Sequence, residues 1–340
     1  MITKDQLDKA KEKKYRKELF KSKESEDSGE LPAIKGYDFS KKFDFNEFLK
    51  SYETTGFQAS NMSDAIKIIK KMHDNNATVF LAYNSNMVSC GLWEIIAWLA
   101  KNKLINVLVT TAGGVEEDII KTIRPFLLGK YEADGAVLRE KCINRIGNIY
   151  VPDRYYIEFE EKIMIPFLKE LYERQKKESR IFSASEFIYE LGKKVNDEDS
   201  IIYWASKNNI PVFCPALTDG SIGDMISFFK YENPGFKLDI SDDIIKINEI
   251  AITSKKTGII VLGGNFPKHH VCNANLFRGG ADYAVYITLE TEEGGADSGA
   301  RIDEAKSWGK IKPEADSVKV FGDATIIFPL IIAGAFAKQT

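Results

Sequence analysis

Apolar and polar positions along this chain fall into blocks. Short apolar runs occur at 78–83 (TVFLAY), 105–111 (INVLVTT), 210–216 (IPVFCPA), 258–264 (GIIVLGG), 282–289 (DYAVYITL) and 318–321 (VKVF). Their length and β-branched content predict buried strands. Between and after them, apolar residues recur at helical spacing over 91–102, 115–127, 221–231, 243–255 and 324–338. Strands that are apolar throughout, alternating with amphipathic helices, predict an α/β fold with a mainly parallel sheet covered on both faces. No fixed-period repeat and no Pro/Gly/Ser-rich linker divides residues 31–340, so one large domain is expected there.

Residues 1–30 differ. They are dense in Lys and Glu, and Ile2, Leu7, Tyr15 and Leu19 make only an incomplete helical stripe. This predicts a charged arm or loosely held helix, closed by GELP at 29–32.

Composition narrows the function classes. The 340 residues are 44% hydrophobic and 29% charged, with a net charge of −3, so no bulk positive field points to nucleic acid. Cys90, Cys142, Cys214 and Cys272 are far apart with no CxxC pair, which predicts reduced thiols, with neither disulfides nor a metal site. With no apolar N-terminal signal and no membrane-length apolar run, a cytoplasmic protein is expected.

The chemistry collects where strands pass into helices. The stretches NSNMVSCG (84–91), AGGVEED (112–118), LTDGSIGD (217–224), NFPKHH (265–270) and GDAT (322–325) are rich in glycine and small polar residues. In an open α/β sheet this edge takes the ligand, and glycines and helix N-termini admit a pyrophosphate. A dinucleotide site is therefore expected, although the GxGxxG fingerprint is absent.

Glu116, Glu117, Asp219, Asp224, Asp297 and Glu304 fall in or near these stretches. Helix capping accounts for any one of them. Together on one rim they would repel, and a cation such as a polyamine is the natural partner. Of three histidines, His269 and His270 are adjacent. One should face the rim as a candidate base and the other pack inward, while His73, at a polar helix end, reads as surface. In EAKSWGKIKP (304–313), Lys310 follows Trp308. An indole wall lowers an ammonium pKa and nearby acids raise it, so surface charge and nucleophile both stay open on residue type alone.

The segment ADSGARIDEAKSWGKI, Ala296 to Ile311, resembles the active-site segment of deoxyhypusine synthases. NVLVTTAGGVEED, INRIGNIYVPD, PALTDGSIGDMI, KHHVCNANLFRGGADYAVYI and GDATIIFPLI resemble further family segments in family order, over roughly residues 35–338. The resemblance implies a Rossmann-like NAD-binding domain that moves the 4-aminobutyl group of spermidine to one lysine of the initiation factor five-A precursor. It implies that Lys310 forms an imine with the group and that His269 takes a proton. Glu117, Asp224, Asp297 and Glu304 would hold ammonium groups. Glu116, Asn273 and Gly295 join the substrate set, with Trp308 walling the aliphatic chain.

For NAD the implied set is Ser85, Asn86, Ser89, Thr111, Ala112, Gly113, Glu117, Asp219, Gly264, Asp323 and Ala324. Leu289, Ala296 and Pro267 depart from the family pattern without removing a charged group. A homotetramer with active sites at subunit interfaces is implied, and the N-terminal segment resembles an arm over the site mouth. Two alternatives stay open: a homospermidine synthase using putrescine as acceptor, and a catalytically silent regulatory subunit.

Overall fold

In the computed structural model, which describes residues 4–19 and 31–336, the run TVFLAY is strand β1 (Thr78–Tyr83), buried from Val79 onward. The other predicted runs give β2 (Val107–Val109), β3 (Val212–Phe213), β4 (Thr257–Leu262), β5 (Ala281–Thr288) and β6 (Ile311–Phe321). All five neighbouring pairs are parallel, in the order β3-β2-β1-β4-β5-β6. This is a doubly wound sheet whose winding reverses between β1 and β4, which opens a crevice beyond their carboxyl ends.

The helices that matter to that crevice are α1 (Phe57–Asp74), α2 (Trp93–Lys101), α3 (Ala112–Ile123), α4 (Ser221–Glu232), α5 (Asp242–Thr253), α6 (Asn265–Leu276), α7 (Ile302–Ser307) and α8 (Ala324–Phe336). Alternate strand residues point to opposite faces. Val79, Leu81 and Tyr83 join one core with Met72 of α1, Ile96 of α2, Ile119 of α3 and Phe328 of α8. Phe80 and Ala82 join the other, with Ile247 of α5, Val271 and Cys272 of α6 and Ile302 of α7. Helices thus cover both faces, as the all-apolar strands require.

Three boundaries differ from the sequence pattern. Helix α3 begins at Ala112, inside the stretch read as a glycine loop, and stops at Ile123, ahead of Pro125. The glycines serve close packing there: a Cβ on Gly114 would lie 2.1 Å from Thr110 Oγ1. Strand β6 starts at Ile311, well before the expected 318, because its first half alternates exposed polar residues at a sheet edge. Strand β3 pairs over only two residues. A small antiparallel sheet of Leu127–Leu128, Ile143–Ile146 and Ile149–Pro152 was not predicted at all.

Asp118 ties α3 to its surroundings. Its buried carboxylate accepts from Trp93 Nε1, from Ser200 Oγ at 2.8 Å and from the N–H groups of Ile201 and Ile202 at 2.8 and 2.9 Å. The last two open the helix Ile201–Lys207, so one acid caps one helix while anchoring another.

Within the charged arm, Lys4–Leu19 is a helix with exposed Lys9–Asp5 and Arg16–Glu12 pairs. The rest of the arm, part of GELP and the last residues of the helix expected to reach 338 lie outside the described residues. Among the described residues no helix is long and apolar enough to cross a membrane.

Candidate functional site

Beyond the carboxyl ends of the strands, a pocket of about 550 Å³ is lined by Asn84, Ser85, Asn86, Thr111, Asp219, Asn265, Phe266, His269 and Asp297. The side chains arrive from five connections. Asn84 to Asn86 follow β1, Thr111 follows β2, Asp219 precedes α4, His269 sits one turn into α6, and Asp297 follows β5. The pocket straddles the switch point between β1 and β4.

The connections interlock. The Ser85 N–H donates to Thr111 Oγ1 at 3.1 Å. A Cβ on Gly113 would lie 2.8 Å from Ser85 Cβ, and one on Gly264 would lie 2.3 Å from Ser298 Cα. Two buried oxygens in the pocket, Asn84 Oδ1 and Asp297 Oδ2, have no hydrogen-bond partner. Buried polar atoms are rarely left so, and these are available to a ligand.

Beside this pocket, Ser89 Oγ donates to the buried carboxylate of Glu117. Burial pushes the Glu117 pKa up to about 8, with Ser89 and Lys121 pulling down and Glu116 pushing up. Glu116 is equally buried, and its Oε2 accepts the Ile222 N–H at 2.8 Å, which joins the start of α4 to α3.

The acids therefore do not share one rim. Glu116 and Glu117 are inside helix α3 because the helix starts at Ala112. Asp219 and Asp297 line the pocket, while Asp224 and Glu304 are exposed outside its lining. Gly295 is an exposed turn residue with φ 67°. Asp323 turns back to accept from the Thr325 N–H and hydroxyl, and Ala324, the first residue of α8, is buried.

The histidine pair divides as its spacing predicts. His269 is exposed to the pocket, whereas His270 is half-buried and lines a second pocket of about 350 Å³ with Asp243, Asn273 and Phe277. Burial holds the His270 imidazole below its ordinary pKa. Asn273 thus lies in a different depression from His269. His73 is exposed and packs edge-on against Phe336.

Lys310 is not in the His269 pocket. It directly precedes β6, where its carbonyl accepts from the Ala281 N–H at 3.0 Å, and this is the amino edge of the sheet. Its ammonium lies 5.6 Å from the Trp308 ring centroid, and Trp308 is 65% exposed. One helix runs from the His269 pocket toward Lys310. His269 and Asn273 are four residues apart on α6, and Leu276 at its end lies against Gly309, between Trp308 and Lys310. Sequence reasoning did not single out Asn84, Asn265, Phe266 or Lys268. All four fall within the polar stretches marked in the sequence, and all but Lys268 line the pocket.

A family model described as deoxyhypusine synthase matches residues 47–335. The chain belongs to the deoxyhypusine synthase family. It is 46% identical over 347 residues to the deoxyhypusine synthase of Senecio vernalis, covering 94% of this chain and 93% of that one. It is 52% identical over 325 residues to a deoxyhypusine synthase homologue of Methanocaldococcus jannaschii, covering 91% of this chain and 98% of the relative. A crystal structure of a deoxyhypusine synthase homologue from Entamoeba histolytica superposes with a TM-score of 0.67 at 33% identity, covering 89% and 97% of the two chains. Deoxyhypusine synthases transfer an aminobutyl group from spermidine to a lysine of initiation factor five-A, and membership puts this chain in that class of transferase. Of the residues that depart from the family pattern, Leu289 is exposed and Pro267 is buried in the first turn of α6, where proline costs no helical hydrogen bond.

Proposed function

We propose that this chain is an NAD-dependent deoxyhypusine synthase that carries the aminobutyl group on Lys310 before passing it to a lysine of the initiation factor five-A precursor. The observation that carries this reading is the switch-point pocket, where His269 and Asp297 stand beside Ser85, Asn86, Thr111 and Asp219.

The pocket fits NAD. It lies where doubly wound sheets take dinucleotides, Asn84 Oδ1 is without a partner, and Gly113 and Gly264 let the connections carrying Ser85 and Ser298 close around it. Ser85, Asn86, Ser89, Thr111, Ala112, Gly113, Asp219, Gly264, Asp323 and Ala324 form the holding set. When bound, NAD supplies acceptance and return of a hydride.

The chain's own residues do the rest. Asp297, with a free buried oxygen, accepts from an ammonium of spermidine, and Glu117, Glu116, Asp224, Asn273, Gly295 and Glu304 complete the substrate set. His269 takes the amine proton as the carbon–nitrogen bond becomes an imine. Lys310 lies outside the His269 pocket of its own chain, so the reading requires assembly at a subunit interface to bring the two together; Lys310 Nζ then attacks the imine carbon and 1,3-diaminopropane leaves. The acceptor lysine then displaces Lys310. Trp308 covers the methylenes while its ring face attracts the charged ends.

Large exposed apolar side chains, Phe266 of the pocket among them, support assembly into a homotetramer with the site at a subunit interface. They include Tyr231, 87% exposed, with Phe228, Phe266 and Phe277.

The test is purified protein with NAD and spermidine labelled in its butylamine part, offered the factor precursor and putrescine together. Label on one lysine of the precursor is the expected result. Label only in homospermidine, or in neither acceptor, overturns it.

A further inference from the structure

Lys268 is an unusual lysine. It sits on α6 next to His269 but points into the protein, and it is 3% exposed. Its ammonium donates to the Asp297 carbonyl and reaches the Ala300 carbonyl at 3.4 Å. The Asp297 carboxylate is 4.0 Å away and the Tyr286 ring centroid 4.8 Å. Burial lowers its pKa, with Asp297 as the main opposing influence. A buried ammonium carries a large desolvation cost unless its donors are satisfied, so this geometry is held against a penalty.

What Lys268 grips is the segment 289–300, which carries Asp297 into the pocket. That segment has little regular structure of its own beyond a short turn at Glu292–Gly294. A second lysine grips it from the outside: Lys319 of β6 donates to the carbonyls of Gly299 and of Glu290, the latter at 3.1 Å. The segment also presses on Gly264, whose missing Cβ lets Ser298 approach. Three contacts thus fix a loop that no secondary structure fixes, and Asp297 is its contribution to the pocket.

We propose that Lys268 is a positioning residue for the transferase: with Lys319 it clamps the 289–300 segment through backbone carbonyls and so sets where the Asp297 carboxylate meets the cationic substrate. This deepens the proposed function, since it rests on Asp297 meeting spermidine. The clamp itself is independent of that assignment. Backbone carbonyls as recipients also explain why the role is invisible in residue types alone.

The test uses the full chain, as Lys268→Met, Lys319→Met and the double variant. Methionine keeps the length and apolar stem of the side chain while removing the ammonium. Hydrogen exchange read by mass spectrometry should rise in peptides covering 289–300 and stay unchanged in β1, β4 and β5. The KM for spermidine should rise about tenfold in Lys268→Met with a smaller change in kcat, as expected when a binding group is misplaced. NAD affinity should hold within about twofold, since the α3 and β1 contacts remain. Lys319→Met should shift both readouts the same way by less, and the double variant by less than the product of the two, because one loop is released only once.

Unchanged exchange in 289–300 overturns the clamp, as does exchange raised throughout the sheet, which would mark Lys268 as a core support only. A loosened loop with an unaltered spermidine KM overturns the link to Asp297 and keeps the clamp. Wild-type protein that neither cleaves nor binds spermidine counts against the proposed function, while the exchange experiment still decides the clamp.

Discussion

Ser89 donates its hydroxyl hydrogen to the Glu117 carboxylate, and both groups are almost completely withdrawn from water. This bond is the main influence opposing burial, which pushes the carboxyl up to about 8 from its ordinary 4.5. A group that holds its proton more tightly when folded makes the folded state bind more protons, so stability falls as pH rises from about 4.5 to about 8. Glu117→Gln should flatten that part of the stability curve, and Ser89→Ala should extend the fall to higher pH. Urea denaturation at a series of pH values reads both, and an identical slope in Glu117→Gln would exclude this group as the source.

Removing Lys310 should separate the two halves of the reaction. Lys310→Ala is expected to leave spermidine cleavage measurable but to abolish both transfer and any borohydride-trapped aminobutyl adduct on the protein. Intact-protein mass spectrometry after reduction is the check. An adduct of the same mass in Lys310→Ala, or retained transfer, would assign the carrier role elsewhere.

Asp118 satisfies four donors with one buried carboxylate. Asp118→Ala strands those donors in the interior, at a cost of about 3 kcal/mol or more. Chemical denaturation should show that loss. A change under about 1 kcal/mol would mean the donors find water or other partners.

Gly264 is a matter of space and not of backbone conformation, since its φ of −176° is open to any residue. An alanine Cβ would lie 2.3 Å from both Ser298 Cα and Ser298 Cβ. Gly264→Ala should push the turn between β4 and α6 away from Ser298 and into the cofactor's space, lower NAD affinity about tenfold and cost about 1–2 kcal/mol of stability. Calorimetric titration with NAD, paired with thermal unfolding, measures both, and unchanged affinity would place the cofactor away from this contact.

The fold was most legible where burial on both faces leaves only apolar residues, as in TVFLAY and GIIVLGG. It was least legible where an element is half wet. The first half of β6, IKPEADS, alternates polar residues at an edge and carries Pro313, so it reads as a loop. In AGGVEED only the start of the helix, expected at 115 and found at Ala112, was missed, for the opposite reason. Its glycines mark close approach to Ser85 and Thr110 and not a turn, so they belong to the helix, and the burial of Glu116 to Asp118 was not foreseen. At the site, residue type marked Asp219 and Asp297 only among six acids and left His269 and His270 undivided; it is the structure that puts His269, Asp219 and Asp297 around one pocket. Lys268 escaped because its partners are carbonyls, which every residue possesses. The separation of Lys310 from His269 also escaped, because spacing along a chain says nothing of opposite sheet edges.

That separation is spanned by α6, which gives the helix a second duty as a ruler. Each residue of an α-helix turns the face by about 100° and advances it by about 1.5 Å. Inserting a single alanine between His269 and Leu276 would keep every functional side chain in the sequence and yet swing His269 away from the end that meets Gly309. The relation between the His269 end and the Gly309 end is therefore encoded as a count of residues, which substitution scanning would leave untouched and a one-residue insertion would destroy.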